Sequence, residues 1–485
     1  MTDTSSDAVV ALATSAQRGL WLTHLLDESS TAYHVSHAFR VADDFDTDAL
    51  ARGLISLVDR HEALRTSFTH VDDELYQVIR PPGGGDKVLE HLQVDAGEPL
   101  VEAIQREFYR PFDIAGARLI RAGLIAHNDG PVFTLVAHHM IVDAQSIGIL
   151  LDELPRLYEA ERRGVDAGLP PSPLHPGDYA DWEARFVATA SYRRQVEFFR
   201  ELLAGAPKAI DLPLPVRRSA PWRGGVASAV LSPAVTSVLI EAAAAAGTTS
   251  FVAFLTLYAG VLHRWSAQDV VVVGTPVSVR SEPGLERAVG MFVNSQPIPT
   301  RWADDPTFTE ALGRVRDTVV ECLARYQCPF DRMVADLKPT RMPGRAPIFQ
   351  VMFGYYTAVA EPGGGCGPLA EEIPLPVETA KFELSLDVTV RGGGTRFDLE
   401  WSAERCTAEA AACLVDHLVL AASCVARDPS VRIGELPLGP ETPAGPDLTD
   451  GDDLTAPFPP LPTAMPGAAS PPDPNPATLM GSRSC

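Results

Sequence analysis

The sequence predicts a mixed α/β fold, and three observations carry that expectation. The stretch from Val132 starts as an apolar run with β-branched residues and ends at His138-His139, which reads as a buried strand. After Ser146, the residues Ile147, Leu150, Leu151, Leu154, Leu157 and Tyr158 recur at helical spacing. The same strand-and-helix rhythm repeats through the second half, and 46% hydrophobic residues in a chain of 485 are enough for large cores.

Taken in order, Ser15 to Leu22 begins a short helix with Trp21 and Leu22 expected to be buried. Val35 to Val41 is a strand. Asp46 or Thr47 can cap a helix whose apolar face is Leu50, Leu54, Leu57 and Val58. Arg60 to Phe68 reads as a helix end turning into a strand, and Glu74 to Arg80 as a further strand. The glycines of Pro81 to Gly85 form a turn, not a phosphate loop, because no Lys-Ser/Thr pair opens a helix after them. A helix over Pro99 to Tyr109 precedes two β segments, Arg118 to His127 and Val132 to His139, joined by a hairpin turn at Asp129-Gly130.

Gly168 to Pro176 is proline-rich and reads as a linker. The next helix opens at Gly177 and runs through Phe199; its Arg193, Arg194 and Arg200 form either a solvated face or a dock for an acidic partner. Helices over Ala234 to Ala246, Ser250 to Trp265, Phe308 to Ala324 and Ala408 to Ala426 alternate with strands. The strands start with a central one at Val270 to Gly274 and continue at Phe349 to Tyr355, Phe382 to Val390 and Arg396 to Ser402. Beyond Leu438 the chain is Pro, Gly, Asp and Ala with almost no apolar periodicity, so 439–485 is expected to be disordered.

A net charge of −23 argues against a nucleic-acid partner. Seven scattered cysteines suggest no disulfide framework and fit a reducing cytoplasm. The first seven residues lack a signal pattern, and no apolar run is read as long enough to span a bilayer. A soluble, cytoplasmic monomer is expected.

The chemistry concentrates at His138-His139, where the strand hands over to the helix. Adjacent strand residues face opposite ways, so one histidine is expected to be reactive and the other structural. A neutral imidazole, with an ordinary pKa of ~6.5, can take a proton from an amine or alcohol. Packing is the ordinary role for a pair at a strand end, and metal binding is disfavoured because no HExxH or CxxC motif supplies further ligands. Asp143 is placed to anchor the loop, and Arg65 is a candidate mate for it.

His138 to Ala144 resembles the HHxxxDG signature of the condensation domains of nonribosomal peptide synthetases, members of the chloramphenicol acetyltransferase-like acyltransferases. The likeness extends, in family order, over Ser15 to Trp21, Arg60 to Phe68, Asp178 to Trp182, Val289 to Ser295, Tyr326 to Asp331 and Arg341 to Phe353. It implies two acyltransferase-like α+β sandwich lobes in a V-shaped pseudo-dimer with a central tunnel. The lobes are expected at 1–175 and 176–438, with the crossover near 289–295. It implies that His139 is catalytic and that His138 is structural. Asp143 would be held by Arg280 with Arg65 nearby, and Trp182 would be a packing residue. Ala144, Ser146, Asn294 and Ser295 would line the tunnel or crossover. No bound cofactor is implied. The donor would be a thioester on the phosphopantetheine arm of a carrier protein, and the acceptor a small amine or alcohol, free or on a carrier protein.

Two departures stand out. Ala144 occupies the position of the family's glycine and would be strained if that backbone needed a positive φ. Cys328 replaces an aspartate and is expected to be a small buried residue. Three readings follow: a condensation enzyme forming an amide or an ester, a non-catalytic module recruiting carrier proteins or tailoring enzymes, and an acyltransferase using coenzyme A thioesters.

Overall fold

The computed structural model describes residues 8–439 except 43–44, 84–87, 95–96, 117, 129, 172–173, 215–221, 281–283 and 358–368. Asp129 of the expected hairpin turn, part of the Pro81 to Gly85 turn and the expected tail from 440 onward lie outside the described residues.

The first half supplies β1 (Val9–Leu12), α1 (Ser15–His24), β2 (His34–Val41), α2 (Thr47–Arg60), β3 (Thr66–Val71), β4 (Glu74–Ile79), β5 (Leu89–Leu92), α3 (Leu100–Phe108), β6 (Ile120–Ile125), β7 (Val132–His138) and α4 (Ala144–Arg163). Every residue of β7 is buried, as its mostly apolar run suits a central strand. β7 lies between β2 and β6 and is antiparallel to both. The helix α2 starts at Asp46, whose side chain accepts the Ala49 N–H. It packs Leu50, Leu54 and Leu57 into a core shared with Ile147, Leu150 and Leu154 of α4. Close approach of α2 and α4 is possible at Gly53, where a Cβ would sit 3.2 Å from the Tyr158 backbone nitrogen.

The second half supplies α5 (Pro176–Val187), α6 (Ala190–Leu202), β8 (Gly224–Leu231), α7 (Pro233–Ala245), α8 (Ser250–Ser266), β9 (Val270–Ser278), β10 (Val293–Arg301), α9 (Phe308–Leu323), α10 (Phe330–Leu337), β11 (Val351–Thr357), β12 (Leu369–Glu372), β13 (Leu384–Arg391), β14 (Gly394–Ser402) and α11 (Ala408–Arg427). Six of its strands form one sheet in the order β10-β9-β11-β13-β14-β8, packed against α7, α8, α9 and α11 around a second core. The mixed α/β class is therefore as expected. β12 leaves this half and pairs antiparallel with β2, so the other main sheet runs β12-β2-β7-β6-β5.

Three expectations are corrected. Leu22 is exposed, and Trp21 is only half-buried, stacked on His70 at 4.6 Å, because the turns of α1 carry polar residues on the inward side: Ser15 and Gln17 are the buried ones. The helix expected through Phe199 breaks at Ala188 and Thr189, where the Thr189 hydroxyl accepts the Tyr192 N–H and caps a new helix. Finally, α11 is long and apolar enough by composition to cross a membrane. Its alanine-rich sequence explains that, and Leu414, Leu418, Ala421 and Val425 lie in the core of the second half. All five described cysteines are free.

Candidate active site

The strand β7 ends at His138, and the chain turns through His139 and Met140 before α4 begins. The His139 N–H donates to the Tyr33 carbonyl at 2.8 Å, and the Ile141 N–H to the His138 carbonyl at 3.0 Å. Because the strand has ended, the two rings divide their roles. His138 is buried, and its Nδ1 accepts the Met140 N–H at 3.2 Å, which fixes the neutral Nε2–H tautomer. Its ring sits edge-on to His24, His34 and Phe112. Burial, then His34, His139 and His24, push its pKa well below the ordinary value.

His139 keeps partial solvent contact, while its Nδ1 is buried without a hydrogen-bond partner. Burial and the nearby Lys381 cation, opposed by Asp143, lower its pKa to about 4. The ring is neutral across ordinary working pH.

Asp143 is completely occupied. It caps α4, accepting the Ser146 N–H and hydroxyl, each at 2.8 Å. Arg280 grips it with two nitrogens at 2.6 and 2.8 Å, and the Phe292 N–H adds a bond at 2.9 Å. Burial alone would raise this carboxyl, but the Arg280 charge and these donors hold its pKa below the ordinary carboxylate value. The expected Arg280 pairing is present. Arg65 is not a mate of Asp143: its guanidinium donates to the Arg80 carbonyl and pairs with Glu62, because the turn at Glu62–Arg65 points it back along its own segment. The adjoining Arg60 and His61 clamp Glu153 of α4 at 3.0 and 2.8 Å, so that motif braces the helix behind the site.

Ala144 is the first residue of α4 and carries no positive φ, so the departure from glycine costs no strain. Ser146 does not face open space. Its hydroxyl has both an Asp143 oxygen and the Gly290 carbonyl within reach of its single proton, and accepts from Arg280 and from the Gly290 N–H. Asn294 is likewise committed: its amide donates to the Tyr326 and Cys328 carbonyls, and its oxygen accepts the Ser295 and Phe330 N–H groups. It also borders a small cleft with Tyr179, Glu183 and Met291, to which His139 does not contribute. Ser295 is half-buried on β10, opposite Pro276. Trp182 stacks on Tyr179 and Phe186, a packing role. Cys328 is buried and its thiol is pushed up to about 12, mainly by that burial, which suits the inert role expected. Among the described residues, no group of three or more His, Cys, Asp or Glu converges as a metal site.

Residues not singled out from the sequence complete the surroundings. The Tyr33 ring lies 6.5 Å from His139 and 6.0 Å from Trp222, and the Lys381 ammonium sits 6.0 Å above the same Tyr33 ring. Tyr356, Asp387 and Glu400 lie on the adjacent strands β11, β13 and β14. Each keeps some solvent contact, although burial raises the pKa of all three, Asp387 to about 7. No short motif marks them, because they come together only through the fold.

A condensation-domain family profile matches residues 8–444. The chain is 32% identical over 449 residues to the phosphinothricin tripeptide synthetase PhsC of Streptomyces viridochromogenes, covering 87% of this chain and 40% of that protein. It is 33% identical over 432 residues to the probable non-canonical nonribosomal peptide synthetase CymA of Salinispora arenicola, covering 87% of this chain and 6% of that one. It thus spans less than half the length of either relative. Among solved structures, the X-domain from teicoplanin biosynthesis superposes with a TM-score of 0.79 at 26% identity, covering 88% of this chain and 97% of that one. The first condensation domain of the calcium-dependent antibiotic synthetase, at 22% identity and a TM-score of 0.73, covers 90% of this chain and 100% of that one and shares the fold.

Proposed function

The chain belongs to the condensation-domain family, and from that premise we propose that it transfers an acyl or aminoacyl group from a carrier-protein thioester to an amine or alcohol. One observation carries the reading. The Asp143 carboxylate is fully consumed by Arg280, Ser146 and Phe292, while His139 is neutral and mostly buried, with no side-chain hydrogen bond among the described residues. A buried ion pair holds the loop that carries this imidazole.

The residues suit the chemistry. The donor carbonyl would be attacked by a neutral amine or a hydroxyl; the new C–N or C–O bond forms, the C–S bond breaks, and the proton passes from the nucleophile to the departing thiolate. An imidazole held near a pKa of about 4 stores a proton poorly but accepts a hydrogen bond well. His139 is therefore proposed to orient the nucleophile and relay its proton, with most of the gain coming from alignment. The half-buried groups Tyr33, Lys381, Asp387 and Glu400 would border the passage along which the substrates meet. No permanently bound cofactor is invoked; the phosphopantetheine arm arrives with the donor.

The test is single-turnover transfer from an acylated carrier protein to candidate amines and alcohols. His139→Ala should lower the rate by about 10² or more. Undiminished product from the variant would remove His139 from the mechanism. A second reading is favoured by the teicoplanin X-domain, which is also known in a complex with OxyB. Under that reading this chain recruits a carrier or tailoring enzyme without transferring an acyl group. Binding of a loaded carrier, with no product from any acceptor, would support it.

A further inference from the structure

The described cysteines fall into two kinds. Cys322 and Cys406 are buried, and their S–H groups donate to the carbonyls of Pro297 at 3.5 Å and Thr407 at 3.3 Å. Cys328 is buried as well, and burial is the main reason that all three hold their protons. Cys413 differs in both respects. It is exposed on α11, whose Leu414 and Leu418 take the core-facing positions. One helical turn further on, His417 places its Nε2 3.6 Å from the Cys413 sulfur. That ring has a fixed tautomer. Trp265, near the end of α8, donates its indole N–H to His417 Nδ1 at 2.9 Å, and the two rings meet edge-on with centroids 5.4 Å apart. An indole nitrogen only donates, so Nδ1 is bare and the neutral ring carries its proton on Nε2, the nitrogen nearest the sulfur. Burial, opposed by Asp416, lowers the His417 pKa, so the ring is neutral at ordinary pH. The bonding is the reverse of that at Cys322 and Cys406: there sulfur donates, and at Cys413 an N–H is presented to it.

We propose that Cys413 is a thiol-modification site for small-molecule disulfides, with His417, set in one tautomer by Trp265, donating its Nε2–H to the attacking sulfur. The thiol first releases its proton to solvent. The sulfur anion then attacks one sulfur of the disulfide; a new S–S bond forms, the old one breaks, and the departing sulfur leaves with the electron pair and takes a proton from water. Cys413 is oxidised to a mixed disulfide, and the departing half of the reagent is reduced to a thiol. A donor already aimed at the sulfur supports the charge it carries during attack, and exposure gives the reagent its line of approach. Buried Cys322, Cys328 and Cys406 have neither advantage. Cys424, one face round the same helix, is half-buried and has no such donor among the described residues. The role is independent of acyl transfer, since none of the three residues belongs to the site around His139.

The test treats the full chain with excess glutathione disulfide and follows each adduct in time by peptide mass mapping, with Cys424 as the internal reference. Cys413 should react about tenfold faster than Cys424 or more. His417→Leu should slow Cys413 about tenfold and leave Cys424 unchanged, whereas His417→Gln, which offers an oxygen to Trp265 and an N–H to the sulfur, should keep most of the wild-type rate. Ring-nitrogen NMR of the untreated wild type, assigned with His417→Gln, should show the Nε2–H tautomer, and Trp265→Phe should release it to a mixture of the two. An Nδ1–H tautomer in the wild type would overturn the proposal without any variant having to fold. So would an unchanged Cys413 rate in His417→Leu, or an equal loss in His417→Gln, since packing and not the N–H would then be responsible. A disulfide-linked dimer in place of the glutathione adduct would overturn the small-molecule assignment.

Discussion

At Asp143, two backbone N–H groups and two Arg280 nitrogens donate to the carboxylate oxygens, with the Ser146 hydroxyl also in reach. Such a group is exchanged only at a cost. Asp143→Asn leaves Arg280 buried without its counter-charge and should lower stability by about 3–5 kcal/mol in urea titrations. Ala144→Gly tests the departure from the family pattern. Since Ala144 is helical, glycine there should cost about 0.5–1 kcal/mol, with no gain in transfer rate. A third expectation concerns pH. Burial lowers His34 to about 4, against ~6.5 in an unfolded chain. Between those values the unfolded state binds a proton that the folded state refuses. The contribution of His34 is therefore complete above ~6.5 and is lost as pH falls towards 4. Asp331 and Asp387, each raised to about 7 mainly by burial, tilt the other way, so the whole-protein profile mixes signs. Comparison with His34→Gln isolates one group: the difference in stability should shrink in the variant's favour as pH drops from about 7 to about 5, read from urea midpoints. Much at this scale was legible. The family resemblance supplied Arg280 as the mate of Asp143, and that pairing is present. Arg65 was wrong because residue type says nothing about where a tight turn aims a side chain. Tyr33, Lys381 and Asp387 left no trace in the sequence, since each matters only through neighbours distant along the chain.

Among the elements, periodicity located β7, α2, α4, α9 and α11 because each carries a continuous apolar face. It failed where polar local chemistry overrode that face. At Thr189, a hydroxyl able to cap a helix ended α5 and started α6 within a stretch whose aromatic residues suggested continuity. β12 was missed for another reason. Four residues, two of them exposed, give no alternation to read, and the strand is defined by its partner β2. Its anchorage is nonetheless specific. Leu369 is buried in the core of the first half, the Ile373 N–H donates to the Ala38 carbonyl at 2.8 Å, and Glu372 meets the buried His37 at 2.8 Å. Leu369→Ala should therefore destabilise the first half by about 2–4 kcal/mol, measured by urea unfolding, even though the residue belongs to the second half of the sequence. A loss below ~0.5 kcal/mol would show that the bridging strand rests on the surface of that core.

For the whole molecule, the two large cores are separate, one around the β12-β2-β7-β6-β5 sheet and one around the six-stranded sheet. Between them lie a few polar fastenings: Arg280 on Asp143, Ser146 on Gly290, Gln145 on the Glu286 carbonyl, Arg287 on Asp152 and Glu153, Glu183 on the Ser15 N–H, and the β12 pairing. Most are charged or polar; among these described contacts Arg280–Asp143 is the ion pair most completely withdrawn from water, with side-chain exposures of 4% and 1%, and the Ser146–Gly290 bonds beside it are buried too. Exposed pairs such as Arg287 with Asp152 contribute roughly 0–1 kcal/mol each, so the buried clasp should dominate the coupling between halves. Wild-type protein should accordingly unfold in one calorimetric transition, each half supporting the other. Arg280→Met strands a carboxylate beneath the Phe292 backbone and removes the clasp. Here the expected change is qualitative: the single transition should separate into two, with the first half melting earlier because it holds the orphaned charge. The double variant Asp143→Asn/Arg280→Met should recover part of the stability lost in Arg280→Met, because no unpaired charge remains, yet should still show two transitions. One sharp transition in both variants would place the coupling in β12 and the backbone contacts, and would make the clasp a device for aiming His139 alone.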